Sequence, residues 1–167
     1  RKSSESAYQD CIESIKVLKK PSVYSVKCIS YSTSDVCTAS DVYVALCQNE
    51  KPDISIIMDD AVLLADDNLL LKIIKIFLSD SSIGVIGIKG AEVMPDSGLL
   101  DEASVIYGGL YEMNSRREVF AKRYNDVQSD YMQVEAVSSI FLAVRGYIPL
   151  WSGINSRCIG EILSVAA

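Results

Sequence analysis

Apolar residues recur along the chain with two different periods, and the switches between them mark out its elements. Tyr8, Cys11, Ile12, Ile15 and Leu18 fall at helical spacing, which predicts an amphipathic helix over residues 6–18, ended before Pro21. "VYSVKCISY", residues 23–31, is rich in β-branched and aromatic side chains and reads as a strand. The polar "STSD" leads into a short helix over residues 38–47, apolar at Val42, Ala45 and Leu46, with Ser or Asp near its start. "DISIIM", residues 53–58, is a buried strand. Beyond it Leu70, Leu71, Ile73, Ile74, Phe77 and Leu78 form a wide apolar helical face opposite Lys72 and Lys75, with Asp66 or Asp67 as cap. "IGVIGIKG", residues 83–90, is another buried strand, and "MPDSG" after it is a turn with Pro in second position. Patterning is weaker until "MQVEAVSSIFLAVR", residues 132–145, which is extended and broken at Ser138 and Ser139. Alternating strands and helices predict an α/β fold, a three-layer α/β/α sandwich around a mostly parallel central sheet.

Composition narrows the class. A chain of 167 residues with 49% apolar and 23% charged residues is one domain with a real core. A net charge of −6 argues against a general nucleic-acid binder. No apolar run reaches the ~18 residues a membrane span needs, and "RKSSESAYQD" has no signal-peptide core. Cys11, Cys28, Cys37, Cys47 and Cys158 are widely spaced among apolar neighbours, as small buried hydrophobes are in a reducing compartment. The expected location is therefore cytoplasmic. Histidine is absent, which removes Ser-His-Asp and Cys-His catalysis and His-ligated zinc from this chain's own repertoire. Chemistry here rests on carboxylates, Lys, Tyr, backbone groups or an oxygen-liganded metal.

The sharpest local feature is "DISIIMDDAVLLADDNLLL", where an apolar strand ends in adjacent acids, Asp59 and Asp60. Two readings stand side by side. A solvated turn that leads into a capped helix needs such residues. So does a divalent-metal site, because Mg²⁺ and Mn²⁺ take carboxylate oxygens and are often completed by phosphate. Ligands of open parallel sheets sit beyond the carboxyl ends of strands, where this pair falls on an expected central strand. Adjacent strand residues point to opposite faces, so both acids serve one ligand only where strand gives way to loop. A phosphoacceptor receiver is disfavoured because two elements precede the pair and "IGVIGIKG" ends in no Asp. A haloacid-dehalogenase-type phosphatase is disfavoured because "MDDAV" lacks Asp-x-Asp spacing.

The order of these pieces from Tyr8 to Arg145 resembles that of family 2-like nucleotide-sugar glycosyltransferases of GT-A fold. "YQDCIESIKVL" with Pro21 is similar to that family's first helix, and "IIMDDAVLLADDNLLLKIIKIF" to its strand, acidic motif, loop and helix. "SDSSIGVIGIKGAEVMPDSG" and "VEAVSSIFLAVR" resemble two later segments. The resemblance implies one GT-A-like domain over residues 1–167, with a nucleotide-binding part over 1–100 and an acceptor-side part over 101–167. It implies transfer of a sugar from a UDP or GDP donor to a saccharide or lipid-linked acceptor, the latter at the inner face of a membrane. It further implies Mn²⁺ or Mg²⁺ held by Asp60, with Asp59 contacting ribose or metal-bound water, and a nucleobase contact from Asp35.

Departures from the family pattern are equally specific. Met58 stands where the family has an acid or His before the metal ligand, and Val137-Ser138-Ser139 stands where it has Val-Asp-Gly. The family's opening strand is expected before Arg1. Of the closing acids that supply a base, "GYIPLWSGINSRCIGEILSVAA" offers Glu161, beside Ile154, Cys158, Ile159 and Ile162 at core-helix spacing. A second class of function, a non-catalytic GT-A-like domain that binds a nucleotide or a partner protein, therefore stands beside the enzyme. Gly84, Gly87 and Gly90 read as packing or turn glycines, and Arg116, Arg117, Lys122 and Arg123 as a solvated basic loop. Ser34, Ser40 and Asp41 cap as readily as they bind. Tyr147 and Trp151 serve equally as core or as sugar-stacking residues.

Overall fold

The computed structural model describes residues 5–30, 43–44, 47–48, 50–114, 116–146 and 148. Helix α1 (Glu5–Lys16) occupies the first predicted helix. Residues 25–30 run without regular structure after a turn closed by Tyr24 N–H to the Pro21 carbonyl at 3.2 Å. The predicted strand there is not formed among the described residues. β-branched composition suits a pleated surface, yet a strand also needs a neighbour to complete its ladder.

Strand β1 (Ile54–Met58), helix α2 (Leu69–Ser79), strand β2 (Val85–Gly87) and strand β7 (Phe141–Arg145) build the principal unit. The sheet order is β1-β7-β2, and β7 is antiparallel to both neighbours, pairing Met58 with Phe141 and Gly87 with Leu142. A mostly parallel sheet is thus not what the described residues form. Strands β1 and β2 do run in the same direction, but β7 returns between them. A strand buried on both faces reads as a continuous apolar run whichever way it points, so hydrophobicity did not report its direction.

Side-chain alternation distributes the core over two faces. Phe141 and Ala143 of β7 join Ile54, Ile56, Met58 and Ile86 beneath Ile73 and Phe77 of α2. Leu142 and Val144 turn the other way, toward Ile57, Val85, Tyr43 and Cys47. Tyr43 and Cys47 are helical, so helical residues cover both faces of this sheet. Arg145 ties α2 to the sheet. Its guanidinium donates to the carbonyls of Phe77 and of Asp80 (2.7 Å), and Nε donates to the Ile83 carbonyl at 2.9 Å. These contacts satisfy carbonyls that a helix C-terminus leaves without partners.

A second sheet, in the order β5-β4-β3-β6, consists of β3 (Lys89–Ala91), β4 (Ile106–Met113), β5 (Val119–Arg123) and β6 (Ala136–Val137). Its ladders are antiparallel too. The predicted single strand over residues 83–90 is therefore divided between two sheets, with a bend at Ile88. Gly108, at φ +94°, packs on that bend so closely that a Cβ would overlap the Ile88 carbonyl. The hairpin of β4 and β5 falls where sequence patterning was weakest. Among the described residues, no helix is long and apolar enough to cross a membrane.

Leu142, the second residue of β7, is 0% exposed. Leu142→Ala is expected to destabilise the fold by about 2–5 kcal/mol through lost burial and the cavity left behind. Chemical denaturation of the two proteins checks this.

Candidate functional site at the end of β1

The ladder between β1 and β7 ends at the acidic pair. Asp59 N–H donates to the Ile140 carbonyl at 3.1 Å, a last rung beyond Met58. The chain then turns at once: Val62 N–H donates to the Asp59 carbonyl at 3.1 Å, and Ala61 N–H donates to Asp59 Oδ1 at 3.2 Å. This local closure is what short carboxylates at strand ends do well. It also releases Asp59 and Asp60 from strict strand alternation, and both side chains are exposed. Strand β1 lies at the edge of the three described strands; β7, not β1, is central.

Met58 packs in the core beneath α2, so it serves burial at the position where an acid or His was expected. The turn between β6 and β7 lies beside Asp59 through Ile140. Its Ser138 donates N–H to the Lys89 carbonyl at 2.8 Å and accepts from Ile140 N–H at 3.4 Å. On the other side, α1 supports the loop that follows the acids. Ser14 Oγ accepts from Leu64 N–H at 3.1 Å while donating to the Cys11 carbonyl at 2.7 Å. Lys19 reaches Asp67 Oδ2 at 2.9 Å and Asn68 Oδ1 at 3.1 Å.

Asp60 bears on the ionisation of Asp59. Neighbouring protein atoms partly desolvate the Asp59 carboxyl and push its pKa up; the Asp60 carboxyl adds to this, and the Ala61 N–H opposes it. Burial also raises the Cys11 thiol, with further contributions from Asp60, Cys28 and Asp59. Asp59 and Asp60 therefore form one acidic patch near Cys11 of α1. Among the described residues no group of three or more His, Cys, Asp or Glu could hold a metal, so Asp59 and Asp60 are a two-carboxylate set. The pair borders neither of two cavities on the molecule. One of about 220 Å³ is lined by Ala103, Ser104, Ile106, Tyr124 and Asn125, and one of about 470 Å³ by Cys47, Gln48, Lys51 and Pro52.

Asp35, Glu161, Tyr147 and Trp151, with Ser34, Ser40 and Asp41, lie outside the described residues. Gly87 and Gly90 are packing glycines, since a Cβ on either would come within 2.7 Å of Val137 or Val134. The expected basic loop is instead a hairpin. Lys122 and Arg123 belong to β5, and Arg116 and Arg117 to the connection before it. Sequence reasoning passed over Lys89, whose side chain is 7% exposed and pairs with Asp101. Its Nζ stands 4.8 Å from the Tyr124 ring centroid. Burial pulls the Lys89 pKa down, but Asp101 and Tyr124 together outweigh it and the net shift is upward. A lone cation inside "IGVIGIKG" was the available signal.

Strand β1 thus ends in paired, exposed acids, with α2 following them and β7 returning antiparallel alongside. Comparison with known families places the chain in a class. The model of a glycosyltransferase-like family matches residues 1–154, so the chain belongs to that family, whose general chemistry is glycosyl transfer. No curated protein and no solved structure matches the chain.

The upward shift of Asp59 has a defined pH consequence. A carboxyl whose pKa is higher folded than unfolded contributes stability below the unfolded pKa and loses it as pH rises through the folded pKa. Asp59→Asn keeps the Oδ1 acceptor for Ala61 and removes the repulsion. In chelator it is expected to melt above the wild type at neutral pH, with the gain fading in acid. Melting curves of both proteins across that range check the sign.

Proposed function

We propose that this chain binds a nucleoside-diphosphate sugar at the carboxyl end of β1 and transfers its sugar to a saccharide or lipid-linked acceptor. The observation that carries the reading is the turn over residues 59–62. It starts where the ladder ends and presents two adjacent, exposed carboxylates in a chain of glycosyltransferase-like family. The donor is of UDP or GDP type, and the fold is read as GT-A. Residues 1–100 serve the nucleotide and residues 101–167 the acceptor. A cytoplasmic location goes with this reading.

The residues fit a divalent cation in their chemistry. Asp59 and Asp60 are hard oxygen donors whose mutual repulsion is relieved by positive charge, and Mn²⁺ or Mg²⁺ commonly completes its shell with phosphate oxygens and water. Asp60 is the ligand proper; Asp59, oriented by its bond from Ala61, contacts ribose or metal-bound water. The cation, when bound, offsets charge that develops on a leaving nucleoside diphosphate. Asp35 and Glu161 are the proposed nucleobase contact and acceptor base. A second reading, a nucleotide-binding domain without turnover, is favoured by Ser138 and Ser139. They stand beside Ile140 where the family pattern supplies a carboxylate.

Isothermal titration with UDP and GDP, in Mn²⁺ and in chelator, tests the site. Asp60→Asn is expected to weaken metal-dependent binding by about one to several kcal/mol, tenfold or more. Equal affinity with and without metal overturns the metal role. Tight binding without release or transfer of sugar establishes the second reading.

A further inference from the structure

The β4–β5 hairpin carries its charges unevenly over its two faces. Cross-strand pairing joins Tyr111 to Ala121, Met113 to Val119 and Gly109 to Arg123, which sets Tyr111, Met113, Val119, Ala121 and Arg123 on one face. Both acids of the hairpin lie on the opposite face. Glu112 is bound there to Lys122 at 2.7 Å, and Glu118 to Asn114 Nδ2 at 2.7 Å. The first face is therefore free of acid. It is also open to solvent, with Tyr111 70% and Val119 62% exposed.

Arg116 and Arg117 occupy the connection at the tip of the hairpin. The Asn114 side chain accepts from the backbone N–H groups of Arg116 and Glu118, at 2.9 and 3.0 Å, which fixes the turn. Neither arginine, nor Arg123, forms an ion pair with a described residue. Residues 106–123 hold four cations and two acids, a local balance of +2 within a chain of net −6. Aromatic and aliphatic side chains between unpaired arginines are what an interfacial segment presents to lipid, apolar groups toward acyl chains and cations toward anionic headgroups.

We propose that the acid-free face of the β4–β5 hairpin docks on an anionic phospholipid bilayer, placing the protein at a membrane surface. A bilayer matches both halves of the face, its charge and its apolar side chains. Pairing this face with itself in a second copy would bring like-charged arginines together. The inference stands on the hairpin and is independent of the role assigned to Asp59 and Asp60.

Co-sedimentation of the full chain with phosphatidylglycerol–phosphatidylcholine vesicles and with pure phosphatidylcholine vesicles tests it. Binding to the anionic vesicles alone, weakened by salt, is expected. Arg116→Ala with Arg117→Ala should lower the partition coefficient about fivefold per arginine, about 25-fold together. Tyr111→Ser with Val119→Ser should also abolish sedimentation, whereas Phe120→Ser, on the opposite face, should leave it intact. These sites are exposed, and unchanged melting temperatures separate lost docking from lost fold. Equal partition into both vesicles, no binding to either, or indifference to the arginine changes overturns the proposal. So does concentration-dependent dimerisation that Tyr111→Ser with Val119→Ser removes, which would assign the face to a second copy.

Discussion

Everything described in this fold depends on one strand buried from both sides. Strand β7 holds Phe141, Leu142, Ala143 and Val144 at 0–2% exposure, with antiparallel neighbours on each edge. Each residue thus has its backbone groups paired and its side chain enclosed, which is the condition for burying peptide groups without loss. The helix above and the helical residues below are held by alternate side chains of the same five-residue strand. Its amino end supplies the Ile140 carbonyl to Asp59, and its carboxyl end supplies Arg145 to α2. A single backbone rung thus joins the core strand to the candidate site.

Charge is handled differently at three places, and the differences follow solvent. Arg145 is part-buried, and carbonyls beneath α2 accept its hydrogen bonds. Lys89 is buried, and Asp101 and Tyr124 hold it charged. Asp59 and Asp60 are instead exposed. They lie at a turn where partial desolvation raises the Asp59 pKa and the neighbouring Asp60 carboxyl adds to that push. Perturbed acids at a strand end are candidates for function, and the chain belongs to a glycosyltransferase-like family.

The elements legible in the chain were those whose periodicity is strong. Helices α1 and α2, strand β1 and the break at Ser138 and Ser139 formed near their predicted places. The acidic pair was legible because a sharp change from Ile-Ile-Met to Asp-Asp marks a strand end in any fold. Residues 25–30 failed as a strand because their composition named a preference without a partner. The hairpin went unread because both of its faces beyond Leu110 are exposed, and an exposed ribbon shows no apolar stripe.

By itself the sequence determined which segments are buried, where β1 stops, and which residue types are on hand for chemistry: carboxylates without histidine. Those are properties of composition and local spacing. Only tertiary structure decided that β7 returns antiparallel between β1 and β2, that Met58 belongs to the core, and that Ser138 lies beside Asp59. The same is true of Lys89, which became a buried ion pair. The reason is physical. Burial period reports how a side chain faces its sheet, whereas strand direction and neighbour choice are set by ladders between residues as far apart as Ile54 and Arg145. No local window contains both.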